Sequence, residues 1–274
     1  MQLFVDQLTV IDSAYMDAQH GLVGESWIVD VVLHGAMDAQ SMVMDFGLVK
    51  KRLKQAIDAS LDHVVIIPKA MPGLEHTGHG WIWQDAAGGQ WRYQGPNVAE
   101  CVLDCERISN AELAGYLEAY LLGAVPENVT AIDVTLRHET TQQPYYHYVH
   151  GLKKHDGNCQ RIAHGHRSKI HILHHGQEAP ALEEETAKWL NYTYLVSAED
   201  ITEETPDHVV TGYTAPQGTF QLQIPKRAVR VMQTDSTVEC IAQFLAERVQ
   251  AQHSGEVQVR AYEGVQKGAI CTAR

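Results

Sequence analysis

The sequence has no run suited to a membrane. No apolar stretch approaches the roughly 18 residues that a spanning helix requires. The first residues, MQLFVDQLTVIDSAYMDAQHG, lack a charged leader followed by an apolar block, so no secretory signal is expected. Cysteine is scarce, odd in number and scattered, at Cys101, Cys105, Cys159, Cys240 and Cys271. Such a set, without an export signal, suits reduced thiols and a cytoplasmic location. Cys101 and Cys105 flank VLD in an apolar stretch and have no second Cys/His pair beside them, which reads as core or strand rather than metal ligands. Positive charge is also in deficit: 21 Lys and Arg stand against 34 Asp and Glu, a net charge of −13. That balance argues against nucleic acid as a partner. It disfavours an anionic small molecule as well, unless basic groups cluster. They do cluster in sequence at Lys153, Lys154, Arg161, Arg167 and Lys169.

What is present is an ordinary globular composition, 45% hydrophobic and 20% charged over 274 residues. That length suits one large domain or two of about 100–150 residues. The pattern favours two related halves. WIVDVVLHG (27–35) and SKIHILHHG (168–176) both read as strands ended by Gly. SNAELAGYLEAYLLGAV (109–125) and STVECIAQFLAERVQAQ (236–252) both read as amphipathic helices, each opening on Ser with Glu three residues later, as in a capping box. Each is followed by a strand, AIDVTLRHET (131–140) and EVQVRAYEG (256–264). Hairpin candidates echo one another at GGQWRYQGP (88–96) and QGTFQLQIP (217–225). The expectation is a duplicated α+β unit, with units 1–141 and 142–274 joined near the polar TTQQP (140–144). DFGLVKKRLKQAIDASLDH (45–63) forms a helix with no clear counterpart in the second half, where ALEEETAKWLNYTYLVSAEDI starts helical and turns β-rich.

Half of the sixteen histidines fall between His147 and His175. His164 and His166, at strand spacing, leave one face together. Two imidazoles on one face can share a zinc ion. His150 ends another alternating strand, YYHYVH, and a neighbouring strand could deliver it as a third ligand. Three protein nitrogens leave a fourth position open, the catalytic arrangement. The competing reading of His-x-His is a partly exposed strand edge. Cys159, in the polar loop HDGNCQR, reads as a ligand or a base, and otherwise as an inert buried thiol.

These residues resemble a known family. YVHGLKKHDGNCQRIAHGHRSKIHI is similar to the zinc-site motif of the 6-pyruvoyltetrahydropterin and 6-carboxytetrahydropterin synthases, with an early histidine, a catalytic cysteine and then HGH. MVMDFGLVKKRLKQAIDASLDH resembles that family's helix followed by a catalytic Asp-His pair. DSTVECIA resembles a helix start, and VRAYEG the strand whose glutamate anchors the pterin.

The resemblance implies two tandem tunnelling-fold units, each an antiparallel sheet with helices on one face, closing into a barrel in a homo-oligomer. It implies Zn2+ on His150, His164 and His166, with Cys159 as the proton-transferring thiol. Glu263 would hold the amino-pyrimidine edge of the pterin, with Thr237 nearby. Asp62 and His63 would complete the site from the first half; a helix cap is their alternative role, and Asp207–His208 is a rival pair. The first half's metal site looks lost, because Val23 and Glu25 align with His164 and His166. Glu139 would be a vestigial anchor, or would bind a different ligand.

The activity implied is a zinc-dependent lyase on dihydroneopterin triphosphate. Its product would be 6-carboxytetrahydropterin, for queuosine-type deazapurine synthesis, or a 6-pyruvoyl compound. The alternatives are a pterin- or purine-binding module with structural zinc, and a zinc enzyme acting on another substrate.

Overall fold

A computed structural model describes residues 1–274. The first half runs β1 (Gln2–Asp17), β2 (Gly21–Gly35), α1 (Phe46–Ser60), β3 (Val65–Pro68), β4 (Glu75–His76), β5 (Trp81–Gln84), β6 (Gln90–Gln94), β7 (Glu100–Leu103), α2 (Asn110–Leu121) and β8 (Val129–Arg137). The second runs β9 (Tyr145–His150), β10 (His164–His174), β11 (Gln177–Glu178), α3 (Pro180–Leu190), β12 (Thr193–Ser197), β13 (Ile201–Glu204), β14 (His208–Ala215), β15 (Gly218–Pro225), β16 (Val229–Met232), α4 (Val238–Gln252), β17 (Val257–Tyr262) and β18 (Gly268–Ala273). No helix is long and apolar enough to cross a membrane.

The fold is α+β, with few helices on curled sheets. The first sheet has the order β7-β3-β1-β2-β8 and the second β16-β12-β9-β10-β17-β18, with β11 against β10. The sheets are antiparallel at their centres, as expected, with parallel strands added at one side. β3 and β7 join the first sheet in parallel, and β12 and β16 do the same in the second. β3 and β12 follow the helices α1 and α3, whereas β7 and β16 return from an excursion through another sheet; both routes are long crossovers, which is what a parallel neighbour requires. A third sheet, β13-β14-β15-β6-β5-β4, belongs to both halves. Its seam pairs Leu222 with Tyr93 and Gln221 with Gln94, so the two echoing hairpins meet each other.

The helices form where the pattern demands. In α1, Val49, Leu53 and Ile57 are buried on one face, and the Asp45 carboxylate accepts from Leu48 N. Ser109 caps α2 through Glu112 N. Two expectations change. α3 is the counterpart of α1, so the first half has no extra helix; the β-rich YTYLV is the parallel strand that follows it. And α4 is capped by Thr237 rather than Ser236, whose oxygens are used elsewhere.

Three cores result. Leu53 and Ile57 of α1 and Leu113 and Leu117 of α2 pack on Val29, Val31 and Leu33 of β2. Leu190, Ile241 and Leu245 of the second pair of helices pack on Ile170, Ile172 and Val259. The third core lies between the halves, where Met16, Leu22, Val65, Val149, Ile162 and Tyr194 meet Trp83, Trp91, Phe220 and Leu222 of the shared sheet. Each such buried side chain contributes on the order of 1.5–3 kcal/mol by leaving water.

The halves touch closely at equivalent residues. Tyr15 faces Val23 across β1–β2 as His150 faces His164 across β9–β10. Gly24 and Gly165 are therefore matched, and they meet. A Cβ on Gly24 would lie 1.9 Å from Tyr148 O, and one on Gly165 would lie 2.5 Å from Gly24 Cα. Contact between equivalent residues is what a local two-fold relation produces.

Candidate active site

The strand register puts His164 and His166 on one face of β10, with His150 directly opposite His164 on β9. All three are buried, at 0–1% exposure. One ring nitrogen of each lies within 4.8 Å of the others, and Nε2 of His150 is 3.1 Å from Nε2 of His166. Each Nδ1 has an oxygen beside it: Ser236 O at 2.9 Å from His150, Arg161 O at 3.2 Å from His164, and Asp12 Oδ1 at 3.1 Å from His166. The Asp12 contact is a close approach rather than a straight hydrogen bond. The two carbonyls accept from Nδ1 of His150 and His164, which leaves Nε2 of those rings free to bind a metal. Burial, then the neighbouring imidazoles, hold His150 and His164 well below the ordinary histidine value. Three buried, converging imidazoles are a donor set that fits zinc.

Cys159 sits beside this group on the short turn Asn158–Gln160, half-buried rather than sealed in the core. His63, Cys159 and His164 form a second cluster, again within 4.8 Å. His63 arrives from the end of α1 in the left-handed backbone region, at φ 57°. Its Nδ1 is 2.6 Å from Asp62 Oδ2. The Asp62 Oδ1 atom accepts from Asp12 N at 2.8 Å, and His63 N donates to Asp12 O at 3.0 Å. From the second half, the Arg161 guanidinium donates to the carbonyls of Asp62 and His63 at 3.5 and 3.2 Å. Burial alone would lower the His63 pKa. Hydrogen bonds and charge from Asp62 and Cys159 outweigh it and raise the value to about 10. The rival pair lies elsewhere: His208 is bonded to Thr205 and stands 3.4 Å from Glu203.

Glu263 directly follows β17, with its side chain partly exposed. Lys267 Nζ lies 3.6 Å from Glu263 Oε2 and 3.4 Å from Asp12 Oδ2. Thr237 is next in sequence to Ser236, but its hydroxyl caps α4.

A family model for 6-pyruvoyl tetrahydropterin synthase matches residues 13–136 and again residues 139–274. The chain belongs to that family. Membership makes it a pterin-processing lyase or synthase and supports the tandem duplication. Among solved structures it is similar to 6-pyruvoyl tetrahydropterin synthase from Plasmodium vivax, at 20% identity over 52% of this chain and 93% of that one, with a TM-score of 0.42. The Plasmodium falciparum enzyme is 18% identical over the same shares, also with a TM-score of 0.42. A search of the curated proteins found no match.

The two halves of the chain are not alike at this site. Where the second half has His150, His164 and His166, the register gives the first half Tyr15, Val23 and Glu25. The position matching Glu263 is held by His138 rather than by Glu139, because Leu136 pairs with Val29 as Ala261 pairs with Ile170. Glu139 instead pairs with Lys169 at 2.9 Å. Glu25 is buried between His138 Nε2 at 3.5 Å and His147 Nδ1 at 3.6 Å. Burial pushes Glu25 up to about 7 and His147 down to about 4.

The expected basic cluster is largely spent on internal acids. Lys153 contacts Glu199 and Asp200, Lys154 contacts Glu199 and Asp235, and Lys169 holds Glu139. Arg161 serves backbone carbonyls and Gln217.

Sequence reasoning missed Asp12, Ser236 and Lys267. Ser236 and Lys267 lie in quoted or adjoining motifs, so proximity in sequence was a usable signal. Asp12 carries no such mark beyond being an acid within an alternating strand.

Proposed function

We propose that the chain is a zinc-dependent lyase that converts dihydroneopterin triphosphate to 6-carboxytetrahydropterin or a 6-pyruvoyl-type product. One observation carries this reading: the Asp62–His63 pair of the first half meets Cys159 of the second beside three converging imidazoles. In this reading His150, His164 and His166 hold Zn2+. The metal would supply Lewis acidity toward the substrate's side-chain oxygens.

The protein groups do the rest. Cys159 Sγ takes or returns a proton at substrate carbon, and the adjacent imidazolium of His63 stabilises its thiolate. Asp62 fixes the His63 tautomer by occupying Nδ1, which leaves Nε2 for proton exchange. Glu263 accepts two N–H donors from the amino-pyrimidine edge as a bidentate pair, which sets the orientation. For that, Lys267 must yield its contact with Glu263. In this reading Thr237, at the start of α4, lies near the bound pterin.

The division of labour follows units 1–141 and 142–274, with the second carrying metal, thiol and anchor. Barrel closure would then come from other copies, in a homo-oligomer. A cytoplasmic setting suits free thiols.

The decisive experiment incubates zinc-loaded protein anaerobically with dihydroneopterin triphosphate and identifies products by mass. A carboxy- or pyruvoyl-tetrahydropterin supports the lyase and chooses its branch. No conversion by protein with zinc bound sinks it in favour of a binding module or another substrate. The Cys159→Ala variant should retain zinc and lose turnover; full activity in it would remove the thiol from the mechanism.

A further inference from the structure

We propose that Asp12 is a positioning residue for this site, joining the metal-binding His166 to the Asp62–His63 pair from the opposite half of the chain. The inference rests on the zinc reading above.

Asp12 lies on β1 of the first half and is 3% exposed. Its carboxylate reaches across the interface to His166, with Oδ1 3.1 Å from Nδ1. Its main chain does a second task, donating from N to Asp62 Oδ1 and accepting from His63 N at O. The loop after Glu263 closes on the same carboxylate: a Cβ on Gly264 would sit 2.5 Å from Oδ1. One residue thus touches a metal ligand, the proton pair and the turn that carries the anchor.

The three Nδ1 acceptors are not alike. Ser236 and Arg161 offer neutral carbonyls and belong to the second half. Asp12 offers an anion and belongs to the first. A carboxylate beside Nδ1–H makes the other nitrogen a stronger donor and fixes the ring; losing such a partner typically costs about 10- to 100-fold in metal affinity. Burying that anion is expensive unless it is paired. Here Ser26 Oγ donates to Oδ1 at 2.5 Å and Lys267 stands 3.4 Å from Oδ2.

The local two-fold adds an independent line of support. Asp12 faces Ser26 as His147 faces Arg167, so Asp12 and His147 are equivalent. Asp12 meets His166, and His147 meets Glu25, the equivalent of His166. The same contact is built twice with acid and base exchanged. The position is therefore one from which each half reaches the matching strand of the other, β10 with its histidines or β2 without them.

The test uses the full chain and measures zinc affinity by competition with a chromogenic chelator, together with the visible spectrum of the cobalt-substituted protein. Asp12→Asn should bind zinc about 10- to 100-fold more weakly and shift the cobalt bands. Ser26→Ala keeps the carboxylate but removes the bond donated to Oδ1 and the one accepted from Arg167 N, so it should weaken zinc binding less than Asp12→Asn does. Wild-type affinity and an unshifted spectrum in Asp12→Asn overturn the proposal. If that variant does not fold, Asp12→Glu moves the charge by one methylene. A shifted cobalt spectrum in it supports the proposal, and an unchanged one overturns it. Failure of the zinc reading looks different: His164→Ala would then bind zinc as wild type does.

Discussion

Asp12 and His147 use their backbone N–H groups in the same way. Asp12 N donates to Asp62 Oδ1 at 2.8 Å, and His147 N donates to Asn191 Oδ1 at 2.9 Å. The following residues, His63 and Tyr192, share φ 57°. The turn after each first helix is thus one structure with two side-chain sets. One set carries a carboxylate and an imidazole, the other an amide and a phenol.

Asn191 shows that an amide fits this turn. Asp62→Asn should therefore keep fold and zinc while losing the anion that holds the His63 proton. Turnover is expected to fall by about 10²- to 10⁴-fold, the usual contribution of a positioned acid–base group. Because the pair and Cys159 lie in one chain, mixing the Asp62→Asn and Cys159→Ala chains should not restore activity. Recovery in the mixture would mean that the working pair comes from another copy.

Glu263→Ala should leave zinc binding unchanged and raise the substrate Kd steeply, because the donors of the amino-pyrimidine edge lose a charged partner. Such hydrogen bonds are worth about 1.5–3 kcal/mol each. Titration of the pterin onto the zinc-loaded variant measures this. Substrate binding at wild-type strength would exclude Glu263 as the anchor.

Glu25 gives a pH-dependent prediction. Burial first, with the Asp12 charge, outweighs the help of Ser26 N and Arg167 and raises its pKa to about 7. The folded value lies above the 4.5 of the free group, so between the two the folded state holds more protons. Stability then declines as pH rises through that window. Glu25→Gln does not titrate. Relative to wild type it should gain stability between roughly pH 5 and 8, by up to about 3 kcal/mol. Both nearby imidazoles, His138 and His147, remain in the variant, so urea unfolding at several pH values isolates the carboxyl. A pH-independent difference would contradict the assignment.

Gly24→Ala should be among the most damaging small substitutions. Its Cβ would fall 1.9 Å from Tyr148 O and 2.6 Å from His166 N, both backbone atoms that cannot swing aside. The expected loss is about 3 kcal/mol or more, by overpacking. Zinc affinity should fall with it, since the clash is at the ligand strand. Thermal unfolding near wild type would show that the halves can part there without cost.

Much of the site could be read directly from sequence because its chemistry is local. His150, Cys159, His164 and His166 fall within one short span, and alternation alone sets His164 and His166 on one face. The link from Asp62–His63 to Cys159 rested on resemblance; no spacing rule connects residues so far apart. Asp12 was invisible because its role depends on how β1 meets β10, a contact without a local signature. Glu139 resembles the anchor because it is the acid at that strand end, but one step of register exchanges the faces and gives the position to His138. α3 was obscured by the β-branched and aromatic residues just after it. The shared sheet was missed for a related reason: each hairpin is legible alone, but neither declares that its partner is the other.

The replacement of three imidazoles by Tyr15, Val23 and Glu25 has a meaning for descent. In an assembly of identical single-unit chains, a substitution strikes every copy of a site at once, and a lost ligand is lost everywhere. Joining two units in one polypeptide ends that bondage. One polypeptide can thus carry Tyr15, Val23 and Glu25 in one unit and His150, His164 and His166 in the other, while the first unit still brings Asp62 and His63 to its neighbour.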